Sequence, residues 1–335
     1  MKKTDRPIHR LYPEASPMFL GIEIGGTKLQ LGIGPGDGSL VHFWRGPVKP
    51  KAGGERIRKQ IVAVVPKLLR QAKLKPKAIR AIGVGFGGPV DDETQRILKS
   101  HQVEGWADFP LSQWLTDQFG IPVALGNDAD VAGLAEALFG AGKGLSPIFY
   151  ITVGSGIGGG LIIDQKIYRG CRRGAAEIGH LRVHAEDRES GEPYECPLEE
   201  QASGWAIATG ARTYVGSNSP LWKLSRGNRE DITTELVAKA AEKGDGVAKL
   251  CLEQAIHYLA EGICHVIGLL CPRRIVIGGG VSLVGEKLFF TPLRKRVAEN
   301  VFKPFAGLTD IVPAKLGEKV VVHGALALAR QRFSV

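Results

Sequence analysis

The chain has 335 residues, 44% of them hydrophobic, which is enough for a sizeable core and a length suited to about two domains. No run approaches the roughly 18 apolar residues that cross a bilayer, and the basic start MKKTDRPIHR leads into LYPEASP rather than an apolar leader, so a cytoplasmic protein without membrane association is expected. Cys171, Cys196, Cys251, Cys264 and Cys271 are scattered with no CxxC pair, which argues against both a disulfide framework and a cysteine-rich metal knuckle.

Residues 1 to 17 are polar, rich in proline and charge, and read as a flexible extension. The runs MFLGIEIGG, KLQLGIG and SLVHFWRG, parted by Gly and Asp turns, predict a strand meander. The net charge of +10 is concentrated just beyond, where Arg45 to Arg80 hold 12 Lys or Arg residues against the single acid Glu55. Apolar residues at helical spacing under those charges predict a helix near 54 to 73 with a solvated basic face, rather than a nucleic-acid site. A strand follows at AIRAIGVG, then a short helix at LSQWLTDQFG, a strand at IPVALG and a helix over DADVAGLAEALFG. PIFYITVG and GGGLIID, joined by GSGI, predict a hairpin. A long helix over LCLEQAIHYLAEGICHVIGLL, a strand RIVIGG, a helix over 283 to 299 and a last helix near GALALARQRF complete an α/β pattern of sheets covered by helices.

Three glycine-rich turns stand out, each directly after a predicted strand: Gly25-Gly26-Thr27-Lys28, Gly154-Ser155-Gly156 and Gly278-Gly279-Gly280. Glycine lets the backbone approach a phosphate and turn its N–H groups toward it. Two GxGxxG matches, Gly83-Gly85-Gly88 and Gly154-Gly156-Gly159, fail as dinucleotide sites because they run into PVDD and LIID instead of opening a helix. GAGKGLS fails as a Walker loop, because position 137 is Ala and Lys143 precedes Gly144. A single glycine loop is most often a plain turn; three in this order suit two lobes gripping a nucleotide.

The segments EIGGTK, GVGFGGPVD, GNDADVAGLAEALFG, TVGSGIGGGLI, AAEIGH, LEEQASG and IVIGGGVS, in that order, make the chain from Met18 onward resemble the ROK family of sugar kinases and related repressors. The resemblance implies a two-lobed actin-like (ribonuclease H-like) ATPase fold with a cleft between lobes 18–125 and 126–320, and a final helix 321–335 returning to the first. It implies ATP phosphates at Gly25, Gly26, Thr27 and Lys28 and at Thr152, Gly154, Ser155 and Gly156, with the adenosine beside Gly278 and Gly279. It further implies that Gly88, Asn127, Asp128, Glu177, His180 and Glu199 hold a sugar, that Asp128 is the general base, and that Mg²⁺ accompanies ATP. Glucose is the acceptor expected first, ahead of other hexoses or N-acetylmannosamine, and a homodimer is expected.

The residue chemistry agrees with that resemblance. A sugar hydroxyl is a weak nucleophile, and an oriented carboxylate that takes its proton contributes about 10² to 10⁴ in rate. Asp128 falls where a strand meets a helix, a place that favours the anion. An isolated Asn-Asp pair there is simply a cap, and a lone His or an ExxH spacing is ordinarily structural. Carboxylates and a neutral imidazole nonetheless suit vicinal hydroxyls.

Two departures from the family stand out. Glu23 replaces the usual Asp at the start of the first turn, on the side expected to meet hydrated magnesium. The stretch HAEDRESGEPYECPLEEQ holds only Cys196 where many members carry a zinc-binding His and three Cys, so no structural zinc is expected. Polyphosphate as donor, prompted by the basic segment, and a non-catalytic sugar-sensing regulator are the competing readings. The 17 residues before Met18 are too few for the DNA-reading domain of a repressor, so no nucleic-acid partner is expected. Retention of Asp128 and of all three glycine loops argues against a silent sugar binder.

Overall fold

The computed structural model describes residues 17–100, 102–171, 173–186 and 190–334. Nearly all of the expected N-terminal extension, residues 1–16, lies outside them.

The first sheet opens with the expected meander, β1 (Met18–Ile24), β2 (Lys28–Gly34) and β3 (His42–Pro47), paired antiparallel. Helix α1 (Gly53–Gln71) buries Ile57, Ile61, Val65 and Leu68 on one face. Arg56, Lys59, Lys67 and Arg70 are exposed on its other side, so much of the basic segment is a solvated helix face. Strand β4 (Ile79–Phe86) runs parallel to β1, and the short β5 (Val90–Asp91) and β6 (Arg96–Ile97) pair as a ribbon. Helix α2 (Leu111–Phe119) stops at a left-handed Gly120 and leads to β7 (Val123–Asn127), parallel to β4. The sheet order is β3-β2-β1-β4-β7.

Helix α3 (Asp128–Phe139) connects to the second sheet. There β8 (Ile148–Val153) and β9 (Ile157–Ile163) form the expected hairpin, extended by β10 (Lys166–Ile167). Strands β11 (Arg182–Glu186) and β12 (Pro193–Pro197) pair on either side of residues 187–189, which lie outside the described set. Four helices that periodicity did not reveal come next: α4 (Glu199–Ala202), α5 (Gly204–Tyr214), α6 (Pro220–Leu224) and α7 (Thr234–Glu242). Then come the long α8 (Gly246–Leu270) and β13 (Arg274–Gly278), which pairs in parallel with β8. The helix expected over 283 to 299 is shorter and broken. A 3₁₀ segment Gly280–Val284 and a π segment Glu286–Phe290 meet at Gly285, whose φ of 92° interrupts the helical path, and the regular α9 covers only Thr291–Asn300. Strand β14 (Asp310–Pro313) completes the order β10-β9-β8-β13-β14, and α10 (Val320–Phe333) ends the described chain but for Ser334.

Burial shows how these parts stack. One face of the first sheet (Leu20, Ile22, Leu29, Leu31) packs on α1 and α2, and the other meets α10 through Phe19, Ala81, Val322 and Leu326. Ile148 and Tyr150 on one face of β8 join α3 and α10 through Ala132, Val321 and Leu328. Phe149 and Ile151, on the opposite face, join α5 and α8. Helices α3 and α10 are therefore the layer between two sheets. Glu136 fixes that layer: fully buried, it accepts the N–H of Ala141 on Oε2 at 2.7 Å and those of Lys315 and Leu316 on Oε1 at 2.9 and 2.8 Å. An anion shared by three backbone donors ties the end of α3 to the approach into α10.

Candidate active site

Ligands of parallel sheets gather beyond the carboxyl ends of the strands, where chain turns are free of the ladder. The candidate residues follow this rule in both sheets. The Gly25–Lys28 turn leaves β1, Gly87 and Gly88 leave β4, Asn127 ends β7, Gly154–Gly156 leaves β8 and Gly278–Gly279 leaves β13. Backbone bonds hold the turns in place. Gly25 N–H donates to the Lys28 carbonyl at 3.0 Å, Gly87 N–H to the Ile24 carbonyl at 2.9 Å, and Gly204 N–H to the Gly154 carbonyl at 2.7 Å. Gly279 has φ 86°, and a Cβ there would meet the Val153 backbone within 2.4 Å, so only glycine lets the third turn lie against the end of β8.

Asn127 and Asp128 divide their duties. Asn127 is the cap of α3: its Oδ1 accepts from Ala129 N–H at 2.8 Å and Asp130 N–H at 3.4 Å, while its Nδ2 donates to the Gly88 carbonyl at 3.0 Å. Asp128 is the first helical residue, and its Oδ2 lies where a Cβ on Gly87 would be 3.4 Å away. Burial raises the Asp128 carboxyl to about 6, with the Ala129 and Asp128 amides and Lys28 opposing and Glu177 adding to the rise. Lys28, which begins β2, and Glu177, which precedes the 3₁₀ turn Ile178–His180, therefore both bear on Asp128.

Glu23 is buried at the end of β1, with Lys28 Nζ 3.1 Å from its Oε1. With its amide nitrogen turned toward Glu23, Gln30 donates to Oε2 at 2.8 Å and to the Glu318 carbonyl at 3.1 Å. Burial lifts the Glu23 carboxyl to about 7 against the pull of Lys28. Glu199, the first residue of α4, accepts the Ile157 N–H on Oε2 at 3.2 Å, and the same oxygen lies 2.7 Å from where a Cβ on Gly156 would be. Glu177 precedes and His180 ends a single 3₁₀ turn, both are exposed, and His180 N–H donates to the Glu177 carbonyl at 3.1 Å. Gly159 and Gly179 bring that segment onto β9: a Cβ on Gly159 would fall 2.1 Å from the Ala176 carbonyl, and one on Gly179 at 2.1 Å from that of Ile157.

A second acid beneath the site was not foreseen. Asp130 is buried, its Oδ1 has no partner, and its Oδ2 sits 3.4 Å from Arg169 Nη1. Arg169 also reaches Asp92 at 3.6 Å, and Arg332 of α10 reaches Asp92 at 3.8 Å. Burial raises Asp130 to about 7 despite Arg169. The only hint in sequence was a third polar residue in the run Asn127 to Asp130, because Arg169 lies 39 residues away.

Glu23, Asp128 and Asp130 thus all hold protons more tightly folded than unfolded. Such groups favour the fold below their unfolded values, and that contribution is lost as pH rises through their folded ones. Loss of these contributions is expected to lower the thermal midpoint of the ligand-free protein as pH rises from about 5 to about 7, levelling off above about 7.5, and Asp130→Asn to flatten that slope. A midpoint that rises over this range contradicts the burial argument.

Among the described residues no group of three or more His, Cys, Asp or Glu side chains is arranged to hold a metal ion. In the stretch compared with zinc-binding relatives, Cys196 is buried with its Sγ 3.3 Å from the Gln201 amide nitrogen, and His184 pairs with Glu195 at 3.1 Å. There is no disulfide among the described residues, and none of their helices is long and apolar enough to cross a membrane.

Two sheets with helices between and outside them, and turns meeting at a common cleft, are the actin-like two-lobed ATPase architecture. The chain belongs to the ROK family, whose family model matches residues 19–332. It is 30% identical over 319 residues to a glucokinase of Halalkalibacterium halodurans, covering 94% of this chain and 95% of that one. It is 32% identical over 330 residues to a putative fructokinase of Bacillus subtilis, covering 94% and 96%. Among solved structures, a ROK family glucokinase from Streptomyces griseus in complex with glucose and AMPPNP superposes with a TM-score of 0.78 at 30% identity, over 94% of this chain and 99% of that one.

Proposed function

We propose that the protein transfers the terminal phosphoryl group of ATP to a hexose hydroxyl, with Asp128 as general base. The observation that carries this reading is the position of Asp128: first in α3 at the end of β7, close enough to Lys28 and Glu177 to feel both charges, with a carboxyl raised to about 6. Such a group is ionised at neutral pH yet basic enough to accept a proton in the transition state. As the hydroxyl oxygen bonds to phosphorus, its proton passes to Asp128 and the bond to ADP breaks.

The remaining residues take matching roles. The Gly25–Lys28 and Thr152–Gly156 turns would carry the phosphates, and Gly278 and Gly279 the adenosine side. Gly88, Asn127, Glu177, His180 and Glu199 would hold the sugar. Asn127 has one amide hydrogen left after its bond to Gly88, so it would donate to a hydroxyl rather than accept. Glu199 would meet the sugar through Oε1, since Oε2 takes the Ile157 N–H. Closure of the cleft would keep water from competing as acceptor.

Magnesium is carried by ATP in such reactions and needs only one or two protein carboxylates besides phosphate oxygens and water. Glu23 fits that demand as a lone carboxylate beside the first turn, and with Lys28 and Gln30 already on its two oxygens it suits a water-mediated contact. The ion would neutralise phosphate charge, and its arrival would favour the ionised form of Glu23.

Glucose is the acceptor we place first, supported by relatives named as glucokinases; the fructokinase-named relative makes fructose the next to try. A coupled assay with ATP over a panel of hexoses tests the reading, and no phosphorylation of any of them would sink it. Because the base must be ionised, kcat/KM is expected to fall about tenfold per pH unit below about 6. A profile flat to pH 5 would remove Asp128 from the role.

A further inference from the structure

Two glycine turns from different sheets face each other across the cleft, and one side chain already joins them. Gln102 lies between β6 and α2, on a segment pinned to the core. Val103 and Trp106 are buried beside it, Trp106 packs edge-on against Phe86 with centroids 5.4 Å apart, and the Arg58 guanidinium lies 5.1 Å from the Trp106 ring. Ser100 Oγ accepts the backbone N–H of Gln102 at 3.4 Å and that of Val103 at 3.2 Å, which shapes the turn. Gln102 itself is exposed, so its placement comes from its anchored neighbours.

Its amide reaches both turns. Nε2 donates to Ser155 Oγ, in the turn after β8, at 3.4 Å. Oε1 lies over Gly26, in the turn after β1, only 1.6 Å from where a Cβ on Gly26 would be built. The missing side chain at Gly26 is therefore what admits the Gln102 amide. Under the kinase reading, on which this inference rests, the phosphates of ATP run between these same two turns. The hydroxyl that now accepts from Nε2 is a neutral acceptor, whereas a phosphate oxygen is charged and forms a bond roughly twice as strong.

We propose that Gln102 is a further phosphate-site residue, whose side-chain amide donates an N–H to an oxygen of the terminal phosphate when nucleotide enters. This bond gives the first lobe a donor to the phosphate from outside its glycine turn. Because the amide nitrogen carries two hydrogens, the second N–H can stay on Ser155, so one amide can hold both turns about the nucleotide.

The test is calorimetric titration of the full chain with AMPPNP and, separately, with AMP, at fixed magnesium. Gln102→Glu sets a carboxylate against the phosphates, and is expected to weaken AMPPNP binding about tenfold or more while AMP stays within about twofold. Gln102→Glu should melt close to the parent without nucleotide, since the residue is exposed. Parent-like AMPPNP affinity in Gln102→Glu overturns the inference, as does an equal loss for AMP and AMPPNP. A parent that binds neither nucleotide overturns the kinase reading as well, which separates the two failures.

Discussion

Asp128→Asn is expected to lower kcat by about 10² to 10⁴ with little change in sugar affinity. Asparagine keeps the size of the side chain, and the cap of α3 belongs to Asn127, whose Oδ1 accepts the Ala129 N–H, so the helix start survives the change. What disappears is the basic oxygen. The phosphate turns, Lys28 and the sugar-facing residues remain, so binding measured by calorimetry should stay within a fewfold while turnover collapses. A mutant with near-parental kcat would show that the proton leaves by another route.

Gly83→Ala is expected to destabilise the protein by roughly 3 kcal/mol or more, read as a lower thermal midpoint. Gly83 lies in β4 beneath α10, where a Cβ would sit 1.8 Å from the Ala325 carbonyl oxygen and 2.5 Å from its carbon. Those are backbone atoms of a helix held on both sides, and they cannot swing away as a flexible side chain does. On the far side of α10, a Cβ on Gly324 would lie 1.8 Å from the Val131 carbonyl of α3. The methyl group therefore forces a whole helix to shift. Gly246→Ala, at the start of α8 with nothing within 4 Å of its added carbon, serves as the contrast and should change stability by no more than about 0.5 kcal/mol. Equal stability of the two variants would refute the close-packing account of the middle layer.

The sequence made the long and regular parts legible. The apolar stripes of α1, α3 and α8 and the alternation of strand and glycine turn came through because each is written in neighbouring residues. Helices α4 to α7 did not, since a four-residue helix such as Glu199–Ala202 is too short to show a period, and the caps that start α5, α6 and α7, Ser203, Ser219 and Thr233, are common residues in any loop. The helix expected over 283 to 299 runs through Gly285, whose positive φ ends one segment and starts another, and a single glycine in an otherwise helical pattern does not announce that break. Within the site, the glycine turns and Asp128 were visible as motifs. Gln102, Glu136 and Arg169 were not, because their partners lie 53, 179 and 39 residues away and no local pattern marks them.

The position of α10 between the first sheet and α3 has a consequence for the order in which the molecule can be completed. Strands β1 to β7 occupy the first 127 residues, yet one face of their sheet is covered by a helix that begins at Val320. During synthesis that face, with Phe19 and Ala81, has to wait until the chain reaches Val320 before its cover arrives. A polypeptide that stops before Val320 leaves this apolar surface uncovered, the kind of exposed surface that promotes aggregation, whereas one that includes α10 buries it.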